Sequence, residues 1–168
     1  MTDNEYLTLA NKLYAAMNTA IFNGTLPECT ISIVDENPEY IGRASAGTIG
    51  EITQRLDEIK KTGIAKTKLN SVIDLSRALF NDTDNVLPIA ISTADTLLHE
   101  VIHILLWRSE DQTHGKLYQE TAQAYGLDVE LDKNGQYKNT HITMDTLIKI
   151  LAAANVINKD AGIRQELL

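Results

Sequence analysis

Apolar residues recur at Tyr6, Leu9, Leu13, Met17 and Ile21, a helical spacing that predicts an amphipathic helix over about 4–22. Asn23 and Gly24 stop it, and Pro27 keeps it from resuming. From Cys29 to Val34 β-branched residues interleave with Thr30 and Ser32, the pattern of a half-buried strand. Arg43 to Ile49, set among Gly42, Gly47 and Gly50, reads as a turn leading into a second strand. Glu51 to Lys61 has a charge pattern that suits a helix and equally suits a long excursion of paired strands, so both stand. Val72 to Leu75 reads as a further short strand and Asn81 to Asn85 as loop.

Ser92-Thr93-Ala94-Asp95 resembles a capping box, with Asp where Glu or Gln is usual, and predicts a helix from there to about Arg108. Leu97, Leu98, Val101, Ile102, Ile104, Leu105, Leu106 and Trp107 make that helix apolar nearly all round, which places it, Trp107 included, in the core. Ser109 to Thr113 is a polar break. A second helix is predicted from His114 or Gly115 to about Tyr125, closed by Gly126. Asn134-Gly135 between Val129–Leu131 and Gln136–Lys138 is the signal of a β-hairpin. Met144, Leu147, Ile148 and Leu151 mark a last helix, and Asn155 to Leu168 reads as a polar, fraying tail. The order of elements gives an α+β fold, with residues 1–168 as one domain: a core of about 4–126, then a C-terminal hairpin and helix over about 127–168.

Charge and cysteine content narrow the partners. Fifteen Lys and Arg against 23 Asp and Glu give a net charge of −8, too acidic for indiscriminate phosphate binding. The densest basic run, Arg55 to Lys68, reads as a solvated face. Cys29, the single cysteine, excludes an intrachain disulfide and a cysteine-based zinc site, and its apolar setting suits a small packed hydrophobe better than a reactive thiol. Met1-Thr2-Asp3-Asn4-Glu5-Tyr6 lacks the basic-then-apolar order of a signal peptide and no apolar run is long enough to span a membrane, so a cytoplasmic protein is expected.

The candidate chemistry lies in the apolar helix. His99-Glu100-Val101-Ile102-His103 is a HExxH motif, and residues four apart on a helix share a face, so both imidazoles can point at one metal ion. Glu100 stands beside the first ligand, where a general base is wanted. HExxH fixes three positions, and a random chain of this length carries it roughly once in a few hundred. Its location in a buried helix sharpens the reading, because uncompensated buried His and Glu side chains would cost several kcal/mol. Catalytic zinc needs a third protein ligand. The candidates are His114, Glu120, Glu130 and His141. His114, directly after the polar break and before Gly115, is favoured for a chain that turns back over the metal. Glu120 is the alternative in which a second helix donates a carboxylate, and His141 reads as a surface histidine. Tyr118 and Tyr125 are weak candidates for stabilising an oxyanion, with packing in the core the commoner fate for either.

Three blocks of residues resemble the SprT-like family of zinc metallopeptidases. They are Ile21-Phe22-Asn23-Gly24-Thr25-Leu26-Pro27 running into a strand, the strand Ile73-Asp74-Leu75-Ser76, and Thr96-Leu97-Leu98-His99-Glu100-Val101-Ile102-His103 with Trp107, His114-Gly115 and Tyr118. The resemblance spans roughly 6–126. It implies a zincin-like fold, Zn2+ held by His99, His103 and His114, Glu100 as general base, and a protein or peptide substrate. Many relatives carry a four-cysteine zinc ribbon, which this chain lacks. Some are proteases switched on by DNA through basic segments. The acidic charge here gives DNA association no support, and it stands as the alternative, beside a non-catalytic module that binds metal and a partner protein.

Overall fold

A computed structural model describes residues 1–46, 49–64, 66, 70–106 and 113–157. The chain opens with α1 (Asp3–Ala20), started by a reciprocal cap in which the backbone N–H of Glu5 donates to Thr2 Oγ1 (3.3 Å) and that of Thr2 donates to Glu5 Oε2 (2.7 Å). Asn23 and Gly24 then take left-handed backbone (φ 52° and 77°) and end the helix where the sequence puts its stop.

A three-stranded sheet follows, in the order β1–β3–β2. The central strand β3 (Ser71–Ser76) pairs in parallel with β1 (Cys29–Val34) and antiparallel with β2 (Gly42–Ala46). Ile73 and Leu75 on β3 are fully buried, and with Ile31 of β1 they give the sheet its apolar face. The ambiguous stretch after β2 is a helix, α2 (Ile49–Thr62), with Glu51 in its first turn and Lys60 and Lys61 in its last, the order that the helix dipole favours. Leu56 and Ile59 on it are exposed. Of the basic run, Lys68 lies outside the described residues.

The long helix α3 (Val86–Leu105) starts about two turns before the expected capping box. Asn85 is the N-cap, its Oδ1 accepting from Leu87 N–H at 3.2 Å. Pro88 is tolerated because the first-turn N–H groups have no helical acceptor anyway. Thr93, expected in the cap, is instead fully buried inside the helix and meets the Tyr6 hydroxyl at 3.1 Å. The helix ends at Leu105; Trp107 and the residues to Gln112, which include its expected last turn and most of the polar break, lie outside the described residues.

α4 (Lys116–Ala124) follows and closes at Gly126, whose φ of 94° meets the expected stop. The hairpin is longer than the sequence suggests, with β4 (Leu127–Leu131) and β5 (Tyr137–Ile142) joined through Gly135 (φ 77°). α5 (Met144–Ala153), capped by Thr143, packs against α1 and α3 and completes the core with Leu147, Ile150 and Leu151. Among the described residues no helix is long and apolar enough to cross a membrane.

β2 lies against α3 so closely that Gly42 has no room for a side chain. A Cβ there would run into Thr96 Cγ2 and come within 3.1 Å of Glu100 Oε1. Gly42→Ala is expected to destabilise by about 1–3 kcal/mol, the usual cost of overpacking. A urea midpoint equal to that of the unsubstituted chain would show that Thr96 turns aside freely. Cys29 is half-buried, and burial pushes its thiol up to about 11. At pH 8 the native chain should therefore be alkylated by iodoacetamide about 100-fold more slowly than the unfolded chain. Equal rates would contradict a packed thiol.

Candidate metal centre

The i, i+4 spacing of α3 brings His99 and His103 to one face, and His114, just ahead of α4, folds back over them. Nε2 of His114 lies 3.1 Å from Nε2 of His99 and 3.1 Å from Nε2 of His103. Among the described residues this trio forms the one group of three or more His, Cys, Asp or Glu side chains able to hold a metal ion, their ligand atoms all within 4.8 Å of one another. Zinc bonded to imidazole nitrogens at 2.0–2.1 Å in a tetrahedron sets its ligands about 3.3 Å apart, so the donor set fits. Burial, and then the neighbouring His103 and His114, push His99 down to about 3, so its ring is neutral at pH 7 and has a lone pair to give.

The other sequence candidates go elsewhere. Glu120 is exposed on α4, 3.6 Å from Lys116. Glu130 on β4 meets Lys138 and, at 3.4 Å, His141, which is itself exposed. Gly115 is the N-cap of α4, in extended backbone (φ −69°, ψ −170°) that any residue can adopt.

Glu100 is 5% exposed, turned away from the core side of α3 towards β2. Burial pushes its carboxyl up to about 7, partly opposed by a hydrogen bond from the backbone N–H of Ala44. That bond fits the strand register. Ser76 N–H donates to the Ile41 carbonyl at 2.9 Å and Gly42 lies opposite Leu75, so residues 41, 43 and 45 bond to β3. Gly42 and Ala44 thus point their N–H and C=O outward, along an edge with which no described strand pairs. Residues Tyr40 to Ala44 form one wall of a cleft of about 440 Å³, α3 its floor, and Asn139 and Thr140 of β5 the opposite wall.

Tyr118 is fully buried with its ring among all three histidines, 4.6 Å from His103 and 4.7 Å from His114 between centroids. Its hydroxyl sits 2.8 Å from Nδ1 of His99, behind the ring and away from the cluster of Nε2 atoms. Tyr125 packs on Phe22 at 4.5 Å. Both tyrosines are packed aromatics, and Phe22 is core, as the sequence favours.

Three side chains at the site carry no sequence signal. Thr140 Oγ1 lies 2.8 Å from His99 Nδ1. The Tyr137 ring stacks on that of His114, with centroids 4.1 Å apart and planes 8° from parallel. Asp95, one turn before His99, accepts from Ile142 N–H at 2.6 Å, and burial raises its carboxyl. Asp95 was legible only as part of the capping box, and the other two only as strand residues after an Asn-Gly turn.

No curated protein and no solved structure matches the chain. A family model does: the SprT-like family, over residues 10–144, which takes in the three histidines, Glu100 and both strands of the hairpin. With four-fifths of its length matched (135 of 168 residues) and three histidine nitrogens converging behind the HExxH helix, the chain belongs to the SprT-like family.

Proposed function

We propose that this chain is a zinc-dependent peptidase in which His99, His103 and His114 hold the metal and Glu100 is the general base. The observation that carries the reading is the convergence of three imidazole nitrogens, that of His114 lying 3.1 Å from each of the other two, with a buried carboxyl group beside them at the floor of an open cleft. Three nitrogen donors with no carboxylate or thiolate suit zinc and leave room for a further ligand. Zinc, when bound, supplies a Lewis acid that polarises a carbonyl and acidifies water.

The chain's own residues do the rest. Glu100, pushed up to about 7 by burial, has a carboxylate matched to taking a proton from water near neutral pH and delivering it to the leaving amide nitrogen. The N–H of Ala44 steadies that carboxylate. The outward N–H and C=O of Gly42 and the C=O of Ala44 offer an extended peptide the hydrogen bonds of an added strand, with its scissile bond over α3. A protein or peptide is therefore the substrate class.

Metal content and turnover together test the reading. Glu100→Gln is expected to keep about one zinc per chain while casein hydrolysis falls by about 100-fold or more. Turnover retained in that variant would remove Glu100 from the base role. His114→Ala is expected to lose most of its zinc and Glu120→Ala none, by mass spectrometry of identically purified proteins. Zinc kept by His114→Ala would move the third ligand elsewhere.

A further inference from the structure

The β4–β5 hairpin reaches the histidines from the side opposite β2, and it touches two of the three. We infer that β5 is the positioning element of the metal centre: the Thr140 hydroxyl sets which nitrogen of His99 carries the proton, and the Tyr137 ring sets the plane of His114. The inference rests on the zinc reading above and adds residues to it.

A neutral imidazole holds one proton, and His99 can bind metal through Nε2 only if that proton sits on Nδ1. At Nδ1 stand two hydroxyls, Thr140 Oγ1 and Tyr118 OH, each at 2.8 Å. A hydroxyl can donate as well as accept, so two of them fix the tautomer only if their own protons are directed elsewhere. Left with no other partner than the His99 carbonyl at 3.5 Å, Tyr118 would donate to Nδ1 and turn Nε2 into an N–H. Thr140 opposes this. Its oxygen, 2.8 Å from Nδ1, is a second acceptor there, so Nδ1 keeps its proton and the Tyr118 hydroxyl donates to the His99 carbonyl. Thr140 is 4% exposed, which keeps water from substituting for it.

His114 poses a different problem. His99 and His103 are fixed by a helix, whereas His114 precedes α4 and its backbone is held by Gln119 Nε2 donating to its carbonyl at 2.8 Å. The near-parallel Tyr137 ring on one face and the edge-on Tyr118 ring at 89° confine the His114 ring to the plane in which Nε2 meets the other two nitrogens.

The test uses zinc itself, with affinity read by competition against a chromogenic chelator, the visible spectrum of the cobalt-substituted protein, and the thermal melt of the metal-free chain. Thr140→Val, which keeps shape and loses the hydroxyl, is expected to weaken zinc about 10- to 100-fold and to alter the cobalt bands. The metal-free melt should stay close to that of the unsubstituted chain. Thr140→Ser should restore affinity and spectrum. Tyr137→Phe should bind zinc normally and Tyr137→Leu weakly. Equal zinc affinity in Thr140→Val and the unsubstituted chain would overturn the inference while leaving the peptidase reading intact. So would a Ser variant as impaired as Val, which would mark Thr140 as packing alone. An unsubstituted chain that binds no zinc would defeat both readings together.

Discussion

Three imidazole nitrogens gathered at the edge of an apolar core, that of His114 3.1 Å from each of the other two, are the constraint on which the rest of the structure depends. Like groups do not gather in this way unaided. Any proton placed on one ring repels protons on the others, and burial opposes charge on all of them, which is why His99 stays neutral far below its ordinary range. The fold sustains the cluster by making α3 immovable. Leu97, Leu98, Val101 and Ile102 are fully buried on its inner side, with Tyr6, Leu13, Met17 and Ile150 packed around them. A helix anchored by so much apolar area tolerates three polar residues on its remaining face, provided each has a partner. Glu100 has the Ala44 N–H, His99 has two hydroxyls, and no buried side-chain polar atom among the described residues lacks a hydrogen bond.

The partners come from two elements that α3 does not share in sequence. β2 approaches as a flat edge of small residues, and Gly42 is required because the gap between its backbone and Thr96 is smaller than a methyl group. β5 approaches from the other side and is laced to α3 at two points, Thr140 to His99 and Ile142 to Asp95. The lacing follows from two repeats that nearly agree: two residues of strand advance about 6.7 Å and four residues of helix about 6.0 Å. A strand lying antiparallel to a helix can therefore meet it at every second residue on one side and every fourth on the other. The hairpin is thus locked in register with the very turn that carries the first histidine.

What was legible in the sequence follows the range of the interactions involved. The HExxH pair is local, fixed by helical spacing alone, and its meaning survives in a string of letters. His114 was within reach because the turn back is short and few metal-ligating residues follow it. The start of α3 was misplaced because Ser92 to Asp95 imitates a cap, while the real one, Asn85, closes a stretch that reads as loop. α2 was undecided because its charges fit a solvated helix and equally fit a pair of exposed strands. Thr140 was invisible for a plainer reason. It lies 41 residues from His99, and a threonine in a strand carries no chemical mark until the fold sets its hydroxyl against a ring nitrogen.

On the proposed peptidase reading, the two walls of the cleft divide the work of recognition. On the β2 side the groups turned towards a ligand are the N–H and C=O of Gly42 and the C=O of Ala44, whose N–H is held by Glu100. Backbone donors and acceptors recognise a peptide as a peptide and read little of its side chains. Side-chain discrimination would have to come from the rim, where Arg43 lies over the Tyr40 ring, 5.9 Å from its centroid, and where Ile41 and Glu39 are exposed. The β5 wall, by contrast, commits its buried hydroxyl to the histidines. On that reading a substitution at the rim should alter which peptides are taken, whereas one at the buried positions of β5 should alter whether the centre assembles at all, because only the second group of residues touches the histidines themselves.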